Sequence, residues 1–179
     1  MNIREIAEYY ITAPDYQIPS WVVSDLRQLI VDLAETELQR IEVKYVDFIP
    51  YLNGSKLSLE EVFADFHQGR MMITTKFNES DLFGSETNLI FRAIHEVHHL
   101  KLNVGFEWEG ELACAVHLLS LTDNLLFKQI LFSETVAQVA VRLHTGKFPY
   151  PQKVVLFEPR VLQELGILSN EGATMAYAK

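Results

Sequence analysis

The sequence predicts an α+β fold: a predominantly helical single domain with a small β-sheet and a helical core that carries a metal site. Three observations predict it. Apolar residues recur at helical spacing through residues 86–145 and in two segments before residue 40. Two short stretches, near 43–49 and 70–77, have the β-branched and aromatic make-up of strands. The chain has 179 residues, 49% of them hydrophobic, which is enough for one core and short for two independent ones. Residues 1–85 read as mixed helix and strand, 86–145 as a three-helix metal-site segment, and 146–179 as a C-terminal extension.

Ile3, Ile6, Ala7, Tyr10 and Ile11 mark a short amphipathic helix that stops near Pro14. From Trp21 to Arg40, Val22, Leu26, Leu29, Ile30, Leu33 and Leu38 form one stripe opposite Asp25, Asp32, Glu35 and Gln39, the pattern of a long surface helix. Residues 42–52 are strand-like, but Pro50 and the turn signal Asn53-Gly54 limit them to a short or edge strand. Ser58 followed by Glu61 is a capping-box pattern opening a helix through Phe66, which Gly69 ends. Arg70 to Phe77 is the clearest strand. A loop over 78–85 leads into a helix from about Glu86 to Leu102, with Gly105 suited to a left-handed cap. A second helix starts near Trp108 and ends around Thr122-Asp123, and a third, apolar on nearly all sides, runs from Asn124 to about His144. Lys153 to Phe157 reads as a last strand, Arg160 to Leu165 as a last helix, and the polar chain beyond Ile167 as a loose tail.

The net charge of −9 speaks against nucleic acid and anionic lipid as partners, since both call for clustered Lys and Arg. With no apolar run of about 18 residues, no membrane span is expected. The first residues alternate charged and apolar side chains, so no signal peptide is expected. One cysteine, Cys114, allows no internal disulfide, and a cytoplasmic location is the natural expectation. A homo-oligomer is compatible with all of this.

The helix at Leu89–Leu102 contains His95-Glu96-Val97-His98-His99, which fits H-E-x-x-H. Histidines at i and i+4 lie one turn apart on one helical face, so two imidazole nitrogens can hold one zinc ion. A glutamate directly after the first histidine stands beside the ion, where a general base is needed. A third ligand must come from elsewhere. In an antiparallel hairpin turning about Gly105, His99 and Glu111 are both six positions from the turn and face each other. The same construction about Asp123 sets Glu134 level with Glu111, so the metal candidates are His95, His99, Glu111 and Glu134, with Glu96 as the catalytic candidate.

Plainer roles exist for several of these residues. Lone histidines are usually hydrogen-bonded core residues, and His67, His117 and His144 read that way. His98, a quarter turn from its neighbours, is either a supporting group or exposed. Glu96 stands four residues after Arg92, the spacing of a helical ion pair. Glu107 and Glu109 flank Trp108 at a helix start, where acidic groups suit the macrodipole. Cys114 reads as a small core residue.

His95-Glu96-Val97-His98-His99, followed by Glu109-Gly110-Glu111-Leu112-Ala113-Cys114-Ala115, resembles the gluzincin branch of zinc metallopeptidases, in which a second helix supplies a glutamate ligand. The small members of the phage-repressor-cleaving and radiation-response type have a comparable acidic, alanine-rich second helix. The resemblance covers about residues 89–119. It implies that His95, His99 and Glu111 ligate zinc and that Glu96 is the general base. The twelve positions from His99 to Glu111 are fewer than that branch usually has, which leaves little room for substrate-binding segments between the helices. The stretch Phe91 to Glu111, with Ser133-Glu134 beyond, also resembles an uncharacterised bacterial and phage-associated family carrying H-[DE]-x-x-H and a later Gly-Glu.

The expected function is a zinc-dependent hydrolase acting on a small molecule or a peptide. The alternative is an iron or manganese carboxylate site in a helical bundle, with Glu96-x-x-His99 as the i, i+3 pair and Glu111 and Glu134 as partners. A third reading is a non-enzymatic protein with a structural or degenerate site.

Overall fold

Helix dominates and the strands are few and short, the predominantly helical α+β class that the sequence predicts. The computed structural model describes residues 1–53 and 56–168. In chain order the elements are α1 (Ile3–Thr12), α2 (Ser20–Glu37), β1 (Glu42–Val46), β2 (Leu52–Asn53), β3 (Lys56–Leu57), α3 (Leu59–His67), β4 (Arg70–Thr74) and α4 (Gly84–Leu102). Then follow α5 (Trp108–Ser120), α6 (Leu125–Phe132), a π-helical segment (Ser133–Ala137), α7 (Gln138–Thr145) and α8 (Pro159–Glu164). The chain divides into two compact units: a continuous one, Pro19–Gly105, and a split one made of Met1–Ile18 and Phe106–Lys179.

In the continuous unit, β1 and β4 form a two-stranded parallel sheet in register from Glu42 opposite Arg70 to Val46 opposite Thr74. Alternate side chains of a strand face one way, so Met71 and Ile73 are buried while Arg70 is exposed. They join Val62 of α3 and Ala93, Val97 and Leu100 of α4 in one apolar cluster, which ties the motif helix to the sheet. Burying a side chain of the size of Ile73 contributes about 1.5–3 kcal/mol.

Tyr51 locks the sheet from outside. Its hydroxyl accepts from the Met72 amide at 2.9 Å and donates to Asp65 at 3.1 Å, and Asp65 in turn pairs with Arg70 at 2.8 Å. The crossover from α3 into β4 needs a left-handed residue, Gly69 at φ 71°, where an added Cβ would stand 3.1 Å from the Arg40 carbonyl. Ser58 caps α3 by accepting from the Glu61 amide, as its place in the sequence predicts. The Asn53-Gly54 turn signal falls partly outside the described residues, but the antiparallel pairs on either side, Leu52 with Leu57 and Asn53 with Lys56, are those of a hairpin.

Helix α2 packs on α4, burying Val22, Leu26 and Ile30. Arg27 reaches from it to the Leu82 carbonyl at 2.9 Å, just before α4 begins. The left-handed residue ending α4 is Asn103, at φ 54° and ψ 47°, and not Gly105. Asn is the side chain best able to replace glycine there, because its short amide tolerates that conformation.

In the split unit, α1 packs on α7 and on the π-helical segment. Asn2 and Glu5 form a full capping box at the start of α1, and Ile6, Ala7 and Tyr10 face inward. The expected single third helix is interrupted at Ser133–Ala137. There the Thr135 hydroxyl bonds the Leu131 carbonyl at 2.7 Å, a local bond that competes with the backbone ladder.

The expected last strand, Lys153 to Phe157, is not a strand. Its extended backbone is held mainly by side chains: Val154 N–H by Asp15, Val155 N–H by the Ser133 hydroxyl, the Lys153 backbone by the Tyr10 hydroxyl, and the Phe157 carbonyl by Gln129. The composition is that of a strand, but among the described residues no strand pairs with it to complete a ladder. The tail beyond Ile167 falls almost wholly at 169–179, outside the described residues.

Candidate metal centre

The apolar face of α4 fixes where its histidines go. Ala93, Ile94, Val97 and Leu100 are buried, and His98 and His99 are buried with them, while His95 and Glu96 are half-buried. His95 and His99, one turn apart, meet edge to face with ring centroids 4.7 Å apart and their Nε2 atoms 3.1 Å apart. Two nitrogens at metal–nitrogen distances of about 2.0–2.1 Å and a tetrahedral angle are separated by roughly 3.3 Å, so this pair fits a common divalent ion. An N–H···N hydrogen bond between neutral rings gives a similar separation.

Glu96 does not pair with Arg92. The ion pairs of the described residues do not include the two together, and Arg92 instead donates to the Lys76 carbonyl at 3.0 Å. The two carry no contact ion pair, although Glu96 is near enough to favour the charge on the Arg92 guanidinium.

His98 is neither exposed nor aligned with its two neighbours. Its Nε2 lies 3.1 Å from Glu37 at the end of α2, and Lys101 reaches the same carboxylate oxygen at 2.7 Å. Burial pushes the Glu37 carboxyl up, but Lys101 and His98 outweigh it and hold the group below its ordinary value. Nothing local in the sequence marks Glu37, since His98 lies 61 residues away.

The split unit carries the carboxylates. Glu111 sits in the first turn of α5, only 9% exposed, in company with buried Cys114 and Ala115. His117, on the same helix, is half-buried. Glu107 occupies the N-cap and Glu109 the first turn, as acidic residues at a helix start should.

Glu134 lies in the π-helical segment. The residue retains some exposure, but protein encloses its carboxyl group, and burial pushes the carboxyl up to about 8, opposed by Gln138. Gln138 is 4% exposed, and its Nε2 makes no hydrogen bond of ordinary geometry among the described residues, so its pull on Glu134 is a weak one. His67 and His144, expected as core residues, are exposed; His67 instead stacks loosely beside Phe63 and Phe66.

The described residues thus include buried His and Glu side chains that could hold a metal ion. No helix among them is long and apolar enough to cross a membrane. In comparisons with known proteins, no protein family, no curated protein and no solved structure matches the chain.

Proposed function

We propose that the chain is a zinc-dependent hydrolase of the metallopeptidase type, in which His95, His99 and Glu111 hold the ion and Glu96 is the general base. The observation that carries the reading is the His95–His99 pair, with nitrogens 3.1 Å apart on a helix anchored to a sheet. Glu111 supports it, as a carboxylate only 9% exposed and of the kind that ligates zinc. Zinc in such a set supplies Lewis acidity and brings the pKa of water towards about 7. Glu96 follows His95 directly, carries no ion pair with Arg92, and as a carboxylate can take up a proton during hydrolysis.

Glu134 is what favours the second reading, an iron or manganese carboxylate site, since an enclosed acid could be a further ligand. Metal content of the purified protein decides between them. Near-stoichiometric zinc that is lost in His95→Ala and His99→Ala and kept in Glu96→Gln is the expected result. Glu96→Gln should also lose any hydrolytic activity, because an amide cannot accept the proton. Metal retained after loss of both histidines would overturn the site, and iron or manganese lost with Glu96→Gln would establish the second reading.

A further inference from the structure

Within the continuous unit, α4 and β4 border a small open cleft of about 110 Å³. Its walls are largely apolar, with Ile49, Pro50, Met72 and Ile73 among them, and α4 adds two charged side chains, Arg92 and Glu96. Ile49 stays 42% exposed, so apolar surface is left uncovered at this place.

Arg92 is the unusual member. It is half-buried, and burial pulls its guanidinium below its ordinary value, with Glu96 pulling the other way. A guanidinium offers five N–H donors. The Lys76 carbonyl takes a bond from one terminal nitrogen of Arg92, and among the described residues no carboxylate lies within ion-pair distance of it. A cation taken out of water calls for an anion, and the fork of a guanidinium suits a carboxylate.

We propose that this cleft binds a carboxylate borne on an apolar body, with the carboxylate at Arg92 and the body along Ile49, Met72 and Ile73. Glu96 repels an anion, so the ligand's charge belongs at the Arg92 end. Two sources share this chemistry, a free medium-chain acid and the C-terminal residue of a peptide. The cleft shares Glu96 with the proposed metal site but is not lined by His95 or His99, so acid binding can be tested without metal.

Calorimetric titration of the full chain in EDTA tests it, with hexanoate, octanoate and decanoate as free acids and N-acetyl-leucine as a peptide C-terminus. The expected result is one site, with affinity rising roughly three- to fourfold per added methylene if the acid is free. Preference for N-acetyl-leucine over hexanoate would assign the peptide end. Arg92→Gln should weaken the preferred acid at least tenfold and leave octanol binding unchanged. Thr74→Phe, which fills the cleft from its half-buried rim, should abolish both, with folding of each variant checked by circular dichroism. His95→Ala/His99→Ala should bind the acid as the wild type does, even if no metal is ever found. Absence of binding by every acid at millimolar concentration, or acid binding indifferent to Arg92→Gln in a folded variant, would overturn the proposal.

Discussion

Replacing Glu134 by glutamine should stabilise the metal-free protein, and by more as the pH rises. The folded chain holds this carboxyl at about 8, against an ordinary 4.5 in the unfolded chain. Below pH 4.5 both states keep the proton and nothing is lost. Between the two values the unfolded chain ionises first, so folding must take up a proton and stability falls with each step in pH. At about 1.36 kcal/mol per unit, the penalty is roughly 1 kcal/mol at pH 5 and roughly 4 kcal/mol at pH 8. Glutamine keeps the shape and removes the titration. Urea unfolding of wild type and Glu134→Gln, in EDTA at pH 5 and pH 8, should show the gap between them widening by roughly 3 kcal/mol. A gap that stays constant, or narrows, would refute the reasoning. Saturating zinc sharpens the test: if Glu134 ligates the ion, the wild type becomes the more stable of the two.

Asn103→Ala places a Cβ-bearing side chain with no amide at φ 54° and should cost about 1 kcal/mol in thermal unfolding, whereas Asn103→Gly should be neutral or better. Tyr51→Phe removes the acceptor of the Met72 amide and a donor to Asp65, a loss of about 1–3 kcal/mol, with faster hydrogen exchange at Met72 as its local signature. Lys101→Met should flatten the acid limb of stability. Glu37, held below its ordinary value, contributes above about pH 4.5 and loses that contribution as pH falls through its depressed folded value; urea unfolding from pH 6 to pH 3 reads the change, which should stay within about 1 kcal/mol.

Elements whose cause is local could be read from the sequence. The apolar period of 89–102 gave α4 within two residues at its start, and Ser58 with Glu61 placed the start of α3. The β-forming composition of Arg70–Phe77 gave β4, which ends three residues sooner at Thr74, and the short strand before Pro50 is indeed an edge. What depends on distant partners could not be read. Lys153–Phe157 has the composition of a strand, yet Tyr10, Asp15 and Ser133 hold its backbone in place of a neighbouring strand. His98 is similar: its position on the helix could not reveal Glu37, which comes from the end of another element. For the candidate site, the His95–His99 pair was readable because both histidines lie on one helix, four residues apart.

The wide turn at Ser133–Ala137 gives the long helical stretch after Asn124 two separate phases. Each residue of an α-helix advances the face by roughly 100°, so one residue gained or lost there would turn everything from Gln138 onward by about that angle. An inserted residue would carry Val141, now buried, into the exposed direction of Arg142, and a lost one would carry Arg142 into the buried direction of Val141. The buried directions after the wide turn therefore hold only while its length is kept. Any related chain that keeps both faces must keep the extra residue, while the loops at either end remain free to change length.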